Sequence, residues 1–177
     1  DTSEVKRLLV FLGGADKDNH TSRILRAINA LDVDNIAVDV VIGLSNPNRL
    51  EIESLASGML NTACYYNVDN MAEMMAVSDL AIGAGGTAIW ERCCLALPSM
   101  VMSIADNQTE ISWQLSNDGY ILYLGNSDAV TEQDITNDLD FMLRHPEIVR
   151  RLSLKAKQLT DGKGTKRVCD YLFNVSK

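Results

Sequence analysis

The stretch from Ser78 to Gln108, SDLAIGAGGTAIWERCCLALPSMVMSIADNQ, leaves this chain little freedom in how it folds. It opens with a short apolar strand, Leu80 to Ile82, and a turn of small residues, Gly83-Ala84-Gly85-Gly86. A hydroxyl residue, Thr87, leads into a helical run from Ala88 to Leu97, which Pro98 stops, and a second apolar strand follows, Met100 to Ile104. Strand, glycine turn, helix and strand make a βαβ unit, and such units build parallel sheets. A glycine turn that opens straight into a helix offers unpaired backbone N–H groups and the positive end of the helix dipole, which suit a phosphate. Glu91, one turn further on, carries a carboxylate that can accept two hydrogen bonds from a vicinal diol.

The rest of the chain repeats the alternation. Lys6 to Leu12 predicts a buried strand running into Gly13, Gly14, Ala15 and Asp16, and Asn19-His20-Thr21 opens a helix with Ile24, Leu25, Ile28 and Leu31 on one face. Ile36 to Ile42 is a second strand, followed by the loop Ser45-Asn46-Pro47-Asn48 and a helix from Arg49 to Ser57. Asn61 to Tyr66 is a third strand. Met71, Met74, Met75 and Val77 lie on the next helix, in a spacing typical of core. After the central βαβ unit, Ala105-Asp106-Asn107-Gln108 reads as a polar loop before a helix from Thr109 to Ser116. Ile121 to Leu124 is a sixth strand, and Thr131 to Leu143 is a helix capped by Thr131. A helix from His145-Pro146 to Gln158 carries Arg150, Arg151, Lys155 and Lys157 as a solvated face, and a last helix holds Val168, Leu172 and Phe173. This pattern predicts one α/β domain over residues 1–177: a doubly wound, mostly parallel, six-stranded Rossmann-like sheet.

Charge and composition narrow the partners. A formal net charge of −8 argues against a nucleic-acid groove or an anionic membrane surface. It leaves a phosphate ligand open, because backbone amides bind phosphate without cationic side chains. The longest apolar runs fall well short of the roughly 20 residues of a membrane span, and no secretory signal is visible. The four cysteines, Cys64, Cys93, Cys94 and Cys169, form no Cys-x-x-Cys pair, and His20 and His145 have no ligand-spaced partner. Reduced thiols in a cytoplasmic protein, with no metal site and no cofactor, are expected.

In open α/β sheets ligands bind beyond the carboxyl ends of the strands. The residues collected there are Gly13, Gly14 and Asp16; Ser45 to Asn48; Asn67-Val68; Gly85, Gly86 and Thr87; and Asp106, Asn107 and Gln108. Two glycine turns facing one crevice suit a diphosphate. Neither is a G-x-G-x-x-G fingerprint and neither is followed by a Walker lysine. No Ser–His–Asp set or acid–base carboxylate pair stands out, so the domain reads as built to bind, with chemistry supplied from elsewhere.

From Gly85 to Pro98, GGTAIWERCCLALP, and through Ala105-Asp106-Asn107-Gln108, the sequence resembles a known family. It is similar to the C-terminal half of the UDP-2,4-diacetamido-2,4,6-trideoxy-β-L-altropyranose hydrolases of pseudaminic acid biosynthesis, which are related to spore-coat polysaccharide proteins. More distantly it is similar to the GT-B N-acetylglucosaminyltransferase that makes lipid II. The resemblance implies the C-terminal domain of a GT-B fold, holding UDP across a cleft from an N-terminal domain of the same polypeptide. It implies that Glu91 binds the ribose hydroxyls and the Val68 backbone the uracil. Gly13, Gly14, Asp16, Gly85, Gly86 and Thr87 would form the rest of the UDP site, and Asn107 and Gln108 would face the sugar. The family cleaves the anomeric bond with water, giving UDP and free sugar, with a histidine of the N-terminal domain as proposed base. On this reading no catalytic residue lies in the chain, Asp1 lies near the interdomain junction, and the isolated domain is nearly inactive. Ala88 and Ile89 stand where relatives often carry further hydroxyls. A donor-binding half of a GT-B glycosyltransferase and a non-catalytic α/β interaction module are the alternatives.

Overall fold

A computed structural model of the chain describes residues 4–31 and 35–175. Asp1, expected near an interdomain junction, lies outside the described residues. In chain order the elements are β1 (Arg7–Phe11), α1 (His20–Asn29), β2 (Ala37–Ile42), α2 (Arg49–Ser57), β3 (Thr62–Tyr66), α3 (Met71–Val77), β4 (Leu80–Ala84), α4 (Ala88–Cys94), β5 (Ser99–Ser103), α5 (Asp106–Asn117), β6 (Leu122–Asn126), α6 (Glu132–Arg144), α7 (Pro146–Leu159) and α8 (Gly164–Val175).

The six strands form one sheet in the order β3-β2-β1-β4-β5-β6, and every neighbouring pair is parallel. The apolar runs of β1, β2, β4 and β5 follow from burial on both faces of a parallel sheet. Alternate residues divide between the two faces. Leu8, Val10, Val38, Val40, Leu80, Ile82, Met100 and Met102 pack beneath α1, α2 and α6, against Ile24, Leu25, Ile28, Ile52, Ile135 and Leu139. On the other face Leu9, Val41 and Ala81 meet Met74 and Met75 of α3, while Val101 meets Ile89 and Cys93 of α4 and Leu115 of α5. Met74 and Met75 are therefore core as their spacing predicts, but Val77 of the same helix is 62% exposed.

Between β4 and α5 three boundaries differ from expectation by two residues or more, each for a local reason. β4 continues through Gly83 and Ala84, because Gly83 pairs with Phe11 on one side and Val101 on the other. α4 ends at Cys94 rather than Leu97, since Ala96 takes a left-handed conformation (φ 56°) that closes the helix before Pro98. α5 begins at Asp106 rather than Thr109, so the polar triad Asp106-Asn107-Gln108 is its first turn and not a loop. α6 is capped as predicted: the Thr131 hydroxyl accepts from the Asp134 N–H and the Asp134 carboxylate accepts from the Thr131 N–H. No helix among the described residues is long and apolar enough to cross a membrane.

Candidate functional site

The strand order reverses between β1 and β4, where the chain leaves β1 toward β2 on one side and later returns as β4 on the other. That switch point is where the loops beyond the carboxyl ends diverge and leave a crevice. A cleft of about 390 Å³ opens there, walled by Gly13, Gly14 and Asp16 on the β1 side and by Gly86, Thr87 and Glu91 on the β4 side, with Ile104 and Gln108 closing one end. A larger depression, about 530 Å³, lies at the opposite end of the sheet among Val5, Ser78, Asp79, Ala96 and Pro98. It faces the amino ends of β1, β4 and β5, where an open sheet presents no divergent loops, so the smaller cleft is the better candidate.

The β1 wall is held from within and from the side. Gly13 adopts φ +96°, a conformation that glycine tolerates without strain. Asp16 is buried and its carboxylate is bound to the start of α1: one oxygen accepts from the His20 N–H (2.9 Å), the other from the Thr21 N–H (2.9 Å) and hydroxyl (2.6 Å). Its lone pairs are thus committed to the start of α1, beside the Asn19 side chain that caps the same helix through Ser22. The loop Ser45 to Asn48 braces this wall. Ser45 N–H donates to the Gly14 carbonyl (3.1 Å) and the Asn48 amide to the carbonyls of Asp16 (3.1 Å) and Lys17 (3.3 Å).

The β4 wall is a bare glycine turn set against α5. Gly85 donates its N–H to the Met102 carbonyl, and a Cβ there would lie 2.6 Å from Ser112 Oγ and 3.0 Å from Gln108 Cβ. Gly85 is therefore glycine for close packing, and it lies behind the cleft rather than in its wall. Gly86 and Thr87 reach the cleft; Thr87 is exposed and its hydroxyl is not consumed in capping α4. Helical bonding starts with Ile89 N–H to Gly86 O and Trp90 N–H to Thr87 O, which leaves the preceding amides in the orphan positions of a first turn. Glu91 follows Thr87 by four residues, so both side chains lie on one face of α4, at the cleft.

Gln108 gains its geometry from the early start of α5. Its Oε1 accepts from the Ile104 N–H (3.0 Å), which fixes the amide and directs Nε2 toward Gly86. Asn107, one residue earlier, is exposed and outside the cleft wall. Val68 is also outside the cleft, its side chain packed against the Leu9, Met74 and Met75 cluster. Of the candidate residues read from the sequence, the structure thus brings together Gly13, Gly14, Asp16, Gly86, Thr87, Glu91 and Gln108, and leaves Gly85, Val68 and Asn107, with Ser45 to Asn48, Asn67 and Asp106, outside the cleft wall.

Arg92 escapes the sequence reading. It is only 1% exposed, and its Nη2 donates to the carbonyl of Ala84 (2.9 Å), a cleft residue. Burial lowers its pKa to about 10, so the guanidinium still carries its charge at neutral pH. The signal was present in the spacing, because Ile89, Arg92 and Cys93 stand at i, i+3 and i+4, the buried face of α4. Cys93 on that face is a buried thiol whose pKa is pushed up to about 11 by burial, which keeps it protonated and unreactive.

Comparison with known proteins accords with this architecture. The chain is 25% identical over 173 residues to the spore coat polysaccharide biosynthesis protein SpsG of Bacillus subtilis, covering 97% of the chain and 51% of SpsG. Among solved structures it superposes on MurG of Acinetobacter baumannii with a TM-score of 0.79 at 15% identity, over 98% of the chain and 53% of MurG. The UDP-GlcNAc 2-epimerase of Neisseria meningitidis, solved bound to UDP-GlcNAc, gives 0.74 at 18% identity, over 96% of the chain and 45% of that enzyme. These likenesses establish a Rossmann-like fold of the kind found in GT-B C-terminal domains, and the chain spans about half the length of each of these proteins. Residues 8–166 match the glycosyltransferase family 28 C-terminal domain, and the chain belongs to that family.

Proposed function

We propose that this chain is the nucleotide-holding domain of an enzyme acting on a UDP-sugar, and that the enzyme is a hydrolase cleaving the anomeric bond of a UDP-diacetamido-trideoxyhexose. The observation that carries the reading is the placement of two glycine turns and the Thr87–Glu91 pair around one cleft at the switch point of the sheet. Backbone N–H groups of Gly13, Gly14, Gly86 and Thr87, with the Thr87 hydroxyl, hold the diphosphate. Glu91 accepts from the ribose hydroxyls. Gln108, through the amide hydrogens left over from its bond to Ile104, reaches the sugar, with Asn107 at the rim. Val68 offers uracil its backbone, since its side chain is spent on packing. Asp16 serves the site by capping α1 and holding the Gly13-Gly14 turn.

As the C1–O bond breaks, negative charge gathers on the departing UDP, and amides already aimed at the diphosphate stabilise it without reorganisation. Activation of the attacking water falls to a second domain of the same polypeptide, across the cleft. A hydrolase is favoured by the sequence Gly85 to Pro98. A transferase that passes the sugar to an acceptor is the second reading, and the match to a glycosyltransferase domain favours it.

The test is thermal and chemical denaturation with UDP. At a hundredfold excess over Kd the ligand stabilises the chain by about 2.7 kcal/mol, and Glu91→Ala removes most of that gain. Absence of any stabilisation by UDP refutes the assignment. Full turnover by the 177-residue chain alone refutes the need for a second domain.

A further inference from the structure

Arg92 is a cation buried beneath the floor of the cleft. Its Nη2 donates to the Ala84 carbonyl, and its Nη1 lies so close to Gly83 that a Cβ there would strike it and approach the Phe11 carbonyl to 2.8 Å. Gly83 is thus glycine to make a berth for the guanidinium between the carboxyl ends of β1 and β4. Phe11 and Ala84, which flank the berth, both line the cleft. The charge has no ion-pair partner: among the described residues no carboxylate lies within ion-pairing distance of Arg92, the Glu91 carboxylate favours the charge only from beyond that distance, and the Arg92 Nε has no hydrogen-bond partner. A buried charge without a partner is strongly disfavoured, so a core that only needed volume would be better served by an apolar residue.

We propose that Arg92 is a specificity-determining residue whose counter-charge is the diphosphate of the ligand, attracted through one layer of backbone at the β1–β4 switch point. Arg92 touches no ligand atom. It sets the potential at the floor of a cleft whose walls present backbone dipoles, the Thr87 hydroxyl, the Gln108 amide and the carboxylates of Asp16 and Glu91, but no cationic side chain. The chain as a whole carries a net charge of −8, which repels a diphosphate, and a fixed internal cation at the phosphate position offsets that field locally. The inference deepens the UDP reading and rests on it.

The experiment compares UDP with uridine, which lacks the phosphates, on wild type, Arg92→Met and Arg92→Lys, using the 177-residue chain and amide NMR titration. Wild type binds UDP more tightly than uridine. In Arg92→Met the UDP Kd rises about tenfold or more while the uridine Kd is unchanged, and the ligand-free protein melts no lower than wild type. Arg92→Lys keeps the charge and retains most of the UDP preference. Equal weakening of UDP and uridine in Arg92→Met, or a lower melting temperature with the UDP preference intact, assigns Arg92 to packing and overturns the proposal. If Arg92→Met does not fold, Arg92→Lys decides: loss of the UDP preference in a folded lysine variant overturns it. A wild type that binds neither compound overturns the UDP reading itself, and this inference falls with it.

Discussion

Gly43, at the end of β2, touches Gly14 backbone to backbone: a Cβ on Gly43 would run into the Cα and carbonyl of Gly14. Two residues later Ser45 N–H donates to that same Gly14 carbonyl, so the β1 turn is pressed onto the β2 end and stitched there. No side chain can yield at this contact, because both partners are main chain. Gly43→Ala is therefore expected to lower stability in urea by about 1–3 kcal/mol, as overpacking does, and to weaken UDP binding by displacing Gly14. A variant with unaltered urea midpoint and UDP affinity would show that the two turns are not coupled.

Asp16 separates a capping role from a ligand role. With three hydrogen bonds to His20 and Thr21, its carboxylate is expected to contribute at the upper end of the roughly 0.5–2 kcal/mol typical of helix caps. Asp16→Ala should lose that stability while, at temperatures where it is folded, the UDP Kd moves no more than about threefold. The reverse pattern, a large affinity loss at unchanged stability, would mean that the carboxylate turns to the ligand.

Gln108 allows its two ends to be tested apart. The acceptor end satisfies Ile104 N–H, and the donor end lies toward Gly86. Gln108→Glu keeps the acceptor and places a negative charge beside the Gly86 turn, so folding should be nearly unchanged and UDP binding weaker by about tenfold or more. Gln108→Ala leaves the Ile104 N–H without its partner and should cost about 1 kcal/mol of stability, with a smaller effect on UDP. A Glu variant that binds UDP as well as wild type would place Nε2 away from the diphosphate.

The sheet was legible because parallel strands buried on both faces must be apolar throughout, and β1, β2 and β5 begin and end within a residue of their sequence readings. The glycine turns were legible because few other residues let backbone approach a ligand. What escaped lacked a local signal. α5 starts behind Ala105, which has no side chain to cap a helix, so its polar first turn reads as a loop and the fixed geometry of Gln108 is hidden. α4 ends on Ala96 in a conformation usually taken by glycine. Gly43 and Gly85 matter through contacts with Gly14, Ser112 and Gln108, which the sequence does not place beside them. Arg92 was readable from its period, but a charge on a core face is identified only by comparing it with Ile89 and Cys93 beside it.

His20 supplies a pH dependence. It lies at the start of α1, and its Nδ1 is 2.8 Å from Nη2 of Arg23, which can only donate; the ring must therefore accept there and carry its proton on Nε2. Burial is the largest influence on its pKa and lowers it. Arg23 acts in the same direction, and the nearby carboxylates of Asp16, Asp18 and Asp128 oppose it without prevailing. Nε2 is 3.9 Å from the Asp18 carboxylate, too long to hold a charged ring against burial. A histidine whose folded pKa lies below its unfolded value of about 6.5 binds protons preferentially when unfolded. Its stabilising effect is thus complete above that pH, declines as the pH falls through it, and levels off below the folded pKa. The urea midpoint should fall on acidification from pH 7.5 toward about pH 5. His20→Gln, whose amide oxygen can still accept from Arg23, should show a shallower decline over the same interval. An equally steep decline in that variant would assign the acid sensitivity to other groups.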